Sequence, residues 1–160
     1  VLSEFRKRVD DYVKLRKRVD DSVPPLKPKR TAEQIAEHEQ ALAGKLRQAR
    51  AGAKRGDIFT PEISAQFALL IRREFRGPEA PAAIRTIRQG DPVSSISLRV
   101  NQTYPDTLPV TTMPPTLLLK LPELPKEVAY RIVGRDFVLV DMTTNVVVDF
   151  IPEVMPPMRG

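Results

Sequence analysis

A chain of 160 residues with no Cys, no Trp and a single His, but with 26 Lys and Arg against 20 Asp and Glu, has little of the side-chain material from which common catalytic centres are built. Disulfides and thiolate chemistry are excluded, and a zinc site built on His and Cys lacks its ligands. The length suits one domain with a modest core, and the net charge of +6 is unevenly spread: residues 1–90 hold 20 Lys and Arg against 12 Asp and Glu, whereas residues 91–160 hold 6 against 8. A basic first half implies an acidic partner, whether nucleic acid, lipid headgroups or an acidic protein face, or else a solvated Arg-rich helical surface.

Leu2, Phe5, Val9, Tyr12, Val13 and Val19 recur mostly three or four apart, which predicts an amphipathic helix over residues 2–21. The string Arg6-Lys7-Arg8-Val9-Asp10-Asp11 recurs as Arg16-Lys17-Arg18-Val19-Asp20-Asp21. The two copies do not fall on one helical face, and their i,i+4 pairs compensate one another. Pro24, Pro25 and Pro28 break the helix, in a linker made basic by Lys27, Lys29 and Arg30. Thr31 followed by Gln34 is a capping box for a second helix, with an apolar stripe at Ile35, Leu42, Leu46, Ala49 and Ala53 and an end expected between Gly52 and Gly56. Thr60-Pro61-Glu62 starts a third, with Ile63, Phe67, Leu70, Ile71 and Phe75 inward and Arg72, Arg73 and Arg76 near its end. A short fourth helix is expected at Ala82–Gln89.

After Gly90 the pattern changes, and residues 91–160 contain ten of the sixteen prolines. Ser94–Val100 is a candidate strand, and residues 105–125 are expected to be largely extended with one helical turn at Thr116–Lys120. Val128–Val133, Phe137–Val140 and Val146–Ile151 are three strand-like runs. Gly134-Arg135 suits a two-residue type II′ turn, so the runs predict an antiparallel meander. The third run is apolar throughout. Simple alternation places Val146, Val148 and Phe150 on one face and Val147 and Ile151 on the other. One face is expected to meet the helices, and the other to need cover from the proline-rich segment or a partner.

Catalytic patterns are missing. His38-Glu39-Gln40-Ala41-Leu42 resembles the start of a zinc-protease helix but has no second His. Asp136 and Asp141 flank strand ends, where Asp serves turns, and Asp149 is expected to face solvent or Arg131. No G-x-S-x-G and no phosphate-binding glycine loop is present. Phosphate contacts would use the basic half, but Phe5, Tyr12, Phe67 and Phe75 fall on apolar stripes and not among exposed cations, which disfavours base stacking. No apolar run approaches the ~18 residues of a membrane span.

Gly56–Pro61, Tyr130–Asp141 and Asn145–Pro152, together with the helix–proline–helix opening, resemble a group of small exported bacterial proteins of unknown function. The resemblance implies a periplasmic or cell-envelope location, no known activity and no functional residues. A start at Val1 is what a removed leader would leave.

The expectation is an α+β protein: a basic helical region over residues 1–90, a proline-rich extended segment over 91–127, and a β-meander with its tail over 128–160. Its expected role is that of a non-enzymatic structural or accessory subunit that needs no cofactor or metal. It would dock on other protein subunits of a larger assembly, one that could itself be membrane-bound. The candidate partner-binding residues are Arg6, Lys7, Arg16, Lys17, Lys27, Lys29 and Arg30 on the basic side, and Leu117, Leu119, Met155 and Met158 in a docking arm formed by residues 105–125 and the tail. The alternatives are a basic nucleic-acid-binding module and an enzyme with an unrecognised site.

Overall fold

The computed structural model describes residues 2–76, 98–104 and 113–155. Among the described residues, four helices precede three strands: α1 (Leu2–Asp21), α2 (Ala32–Ala49), α3 (Pro61–Glu74), α4 (Pro115–Lys120), β1 (Val128–Val133), β2 (Asp136–Asp141) and β3 (Val147–Ile151). This is the expected α+β order. The helix expected at Ala82–Gln89 lies outside the described residues. Of the Ser94–Val100 strand only residues 98–100 are described, and they form no strand.

The local signals explain the helix starts. Thr31 Oγ1 accepts from the Gln34 amide at 3.1 Å and Gln34 Oε1 accepts from the Thr31 amide at 2.9 Å, so both halves of the capping box are closed. Thr60 caps α3, with Pro61 in its first turn. The end of α2 departs from the stripe. The helix stops at Ala49 with Arg50 as its cap, so Ala53 lies in the following turn and not on the helix.

The sheet is antiparallel in the order β1-β2-β3. Val133 pairs with Asp136, leaving Gly134-Arg135 as a two-residue turn. Gly134 has φ +60° while Arg135 is not in the positive-φ region, the signature of type II′.

The β2–β3 ladder holds a bulge. Leu139 pairs with Asp149 but Val140 pairs with Val147, so Val148 is extra. A bulge resets the inward–outward alternation beyond it. Val146, Val148 and Ile151 therefore join Phe137 and Leu139 in the main core, while Val147 and Phe150 join Val133, Val138 and Val140 on the other face. Simple alternation had exchanged Phe150 and Ile151. The second face is packed by Leu98, Val100 and Tyr104, so part of the proline-rich region supplies its cover. The same segment lines the edge of β3: the Asn101 amide donates to Val147 O and the Val147 amide to Gln102 O, both at 2.8 Å, and Thr103 bridges Val146.

The main core runs from Phe5 on α1 through Leu42 and Leu46 on α2 and Phe67 on α3 to Tyr130 and Phe137 on the sheet. Phe5, Phe59, Phe67, Tyr130 and Phe137 form a chain of ring contacts, closest between Phe5 and Phe67 at 4.9 Å. Helices and sheet thus share one interior.

Candidate functional site

The buried ionisable groups act as fastenings between elements. Asp149, expected at the surface, is fully buried. The bulge turns it towards the turn after α2, where its carboxylate accepts from the amides of Gly56 (3.1 Å), Ile58 (2.9 Å) and Phe59 (2.8 Å), and from its neighbour Phe150 (2.8 Å). Charge-assisted bonds of this kind offset the cost of burying the carboxylate. Gly56 reaches it with φ +96°; a Cβ there would meet nothing closer than 3.8 Å, so backbone conformation and not space calls for glycine.

Asp141 is buried too. Its Oδ2 accepts from the Tyr12 hydroxyl at 2.8 Å and from Arg16 Nε at 2.7 Å, and its Oδ1 from the amides of Thr143 and Thr144. The side chain that shapes the β2–β3 turn therefore also anchors α1. Asp136 accepts from the Glu153 amide at 2.8 Å. The three aspartates share no hydrogen-bond partner.

Arg50, the α2 cap, donates to Asn101 Oδ1 (2.8 Å) and to Val148 O at the bulge (3.0 Å), with its guanidinium 5.0 Å from the Tyr12 ring centroid. Burial draws its pKa below the ordinary guanidinium value, against the opposing influence of Tyr12, Asp149 and Asp57. Asn101 returns a bond to Arg50 O at 2.7 Å. Glu74 on α3 is buried and holds α4 by accepting from Lys120 Nζ (2.6 Å) and from the Thr116 hydroxyl. No buried side-chain nitrogen or oxygen among the described residues lacks a partner.

These contacts sort the candidate docking residues. Arg16 is tied to Asp141, so it is a structural cation and no free one. Leu117 and Met155 are core residues, and with Leu121 they fasten α4 and the strand exit to this chain's own interior. That corrects the docking-arm expectation for them: the rest of the sheet and helices cover them because their apolar faces point inward from braced elements. Arg6, Lys7, Lys17, Lys27, Lys29 and Arg30 are exposed. Leu119 is 86% exposed and Leu118 44%. Met158 and residues 105–112 lie outside the described residues. His38 packs at the α1–α2 junction, Nδ1 3.2 Å from Pro24 O and Nε2 3.8 Å from Asp20, and no cluster of His, Cys, Asp or Glu fit for a metal occurs among the described residues. No described helix is long and apolar enough to cross a membrane.

An open cleft of about 560 Å³ lies between the outer flank of α3 and residues 151–155. Sequence reasoning missed it because its two walls are more than seventy positions apart and come together only in the fold. Ser64, Ala65 and Ala68 leave one wall low, Phe75 and Val154 supply apolar surface, and Arg72, Arg76 and Arg135 line both sides, with Glu153 the one acid among the described lining residues.

No protein-family model, no curated protein and no solved structure matches this chain.

Proposed function

We propose that this chain is a non-enzymatic accessory subunit that docks on a larger protein assembly, at a bacterial envelope and in association with a membrane-bound complex. One observation carries the reading. Leu118 and Leu119 are held out to solvent on α4, a short helix whose other side is fixed by Leu117 and Leu121 in the core and by Glu74 through Lys120 and Thr116. A single exposed leucine is ordinary. Two adjacent ones on a braced element form an apolar contact that is already ordered, so docking costs it little conformational entropy. The exposed cations of the helical half add attraction towards an acidic partner surface, effective over about 8 Å at physiological ionic strength. Of the aromatic rings in the basic half, Phe5, Tyr12, Phe59 and Phe67 are buried and only Phe75 is partly exposed, which favours a protein partner over nucleic acid.

The test is the elution of the chain in extracts of its native source. It should run with a complex much larger than itself, and the Leu118→Ser/Leu119→Ser variant should run free with an unchanged melting temperature. Elution of the unsubstituted chain as a free protein, or retention of the variant in the complex, overturns the reading.

A further inference from the structure

We propose that the cleft between α3 and residues 151–155 is a recognition groove for a short peptide segment of the partner in which apolar side chains are flanked by carboxylates; the proposal rests on the docking role above. The two walls come from different parts of the fold, and their chemistry converges. Small residues on α3 leave room for a chain to lie along the helix, and Phe75 and Val154 offer apolar surface. The size falls within the range of about 300–1,000 Å³ typical of binding clefts.

Charge commits the occupant. The side chains of Arg72 and Arg76 are exposed and form no hydrogen bond or ion pair with any described residue. Their backbones are engaged, Arg72 within α3 and Arg76 through its amide to Arg73 O. The negative end of α3 makes a cation welcome there, but it does not account for Arg135, which reaches the cleft from the β1–β2 turn. Arg135 Nε donates to Met155 O at 3.0 Å, and the Met155 amide donates to Arg135 O at 2.9 Å. This pair of bonds fixes the second wall and leaves the terminal guanidinium nitrogens of Arg135 with no bond to a described residue. Among the described lining residues, three guanidinium groups against the one carboxylate of Glu153 favour an acidic occupant, and guanidinium groups bind carboxylates bidentately. A second copy of this chain fits less well, since its exposed helical surface is itself rich in cations.

The experiment measures fluorescence anisotropy of the full chain with a panel of fluorescein-labelled octapeptides. Each carries a Leu-Leu or Phe-Leu pair flanked by two Glu, with Gln counterparts as controls. At least one Glu peptide should bind. Its Gln counterpart should bind about tenfold more weakly, and the Arg72→Glu/Arg76→Glu variant should lose binding by a similar factor. The Leu118→Ser/Leu119→Ser variant should bind the peptide as the unsubstituted chain does, because α4 contributes nothing to the cleft. Equal binding of Glu and Gln peptides, no binding by any Glu peptide up to about 1 mM, or unchanged binding by the charge-reversed variant overturns the proposal. So does concentration-dependent dimerisation abolished by Arg72→Glu/Arg76→Glu, which would make the occupant a second copy. If the cleft fails while the complex still depends on Leu119, only the cleft proposal falls; if the chain runs free in extracts, the docking role itself falls.

Discussion

Tyr12 and Asp141 lie 129 positions apart and meet in a 2.8 Å hydrogen bond from the Tyr12 hydroxyl to Oδ2 of the aspartate. The bond joins the first helix to the β2–β3 turn, and Arg16, one turn further along α1, reaches the same oxygen. The carboxylate is thus satisfied from both sides, by α1 side chains and by its own turn's amides.

This arrangement makes stability fall at high pH. Burial raises the Tyr12 phenol above its ordinary value, and the Asp141 charge and hydrogen bond raise it further, outweighing Arg50 and Arg16. Burial also raises Tyr130, whose hydroxyl donates to Pro122 O at 2.8 Å, against a smaller opposing effect of Arg6. In the unfolded chain both phenols ionise near pH 10 or about there. Above that pH the folded state holds more protons than the unfolded one, so stability declines as pH rises. Denaturant titrations between about pH 8 and pH 11 should show a shallower decline for Tyr12→Phe/Tyr130→Phe than for the unsubstituted chain. Equal slopes would contradict the assignment.

Asp149→Asn keeps the shape and removes the charge. The amide oxygen can still accept, but the amide nitrogen faces the Gly56, Ile58 and Phe59 donors and leaves part of the cluster unsatisfied. A loss of about 3 kcal/mol is expected in urea denaturation, with faster hydrogen exchange at the Ile58 and Phe59 amides. Unchanged exchange at those two amides would show that the turn is held by something else.

Glu74 gives the opposite pH dependence. Burial alone raises its carboxyl, but the hydrogen bonds from Lys120 and Thr116 and the Lys120 charge outweigh burial, and the net shift is downward. A depressed carboxyl contributes stability that is present above the unfolded value of about 4.3 and lost as pH falls through the folded one. Glu74→Gln should therefore be less stable than the unsubstituted chain at neutral pH and lose less on acidification to about pH 3. Parallel acid titrations of the two would rule this out.

Phe150 is 9% exposed on the second face of the sheet, with Arg55 6.0 Å from its ring centroid. Phe150→Ala should cost about 3 kcal/mol, towards the lower end for a buried aromatic because one side of the ring is only partly covered. An unchanged melting curve would show that the outer face of β3 contributes nothing to stability.

Much of the architecture was legible in the residues themselves. Thr31 with Gln34 and Thr60 with Pro61 marked helix starts because capping is decided within four residues. The turn at Gly134 was readable because type II′ geometry needs positive φ at one position and fits the two residues available. The one-turn helix at residues 116–120 and the three strands appeared close to where their patterns placed them. The basic and apolar docking candidates could be drawn up but not sorted. Exposure of Leu119 and burial of Leu117 are neighbouring facts on one short helix, and only the position of α3 and Glu74 separates them.

What the chain alone determined is therefore the helices and strands seen among the described residues, their order and the lack of common catalytic motifs, because these depend on short-range backbone preferences and on which side chains exist. Tertiary structure decided the orientation of β3 and the roles of the buried charges. The extra residue at Val148 reverses the alternation after it, turning Asp149 inward and exchanging Phe150 with Ile151. A bulge is a mismatch between two strands, so it has no signature in either strand read by itself. The Asp149 donors lie some ninety positions earlier in the chain, and the carboxylate meets them only once helices and sheet have closed on one core.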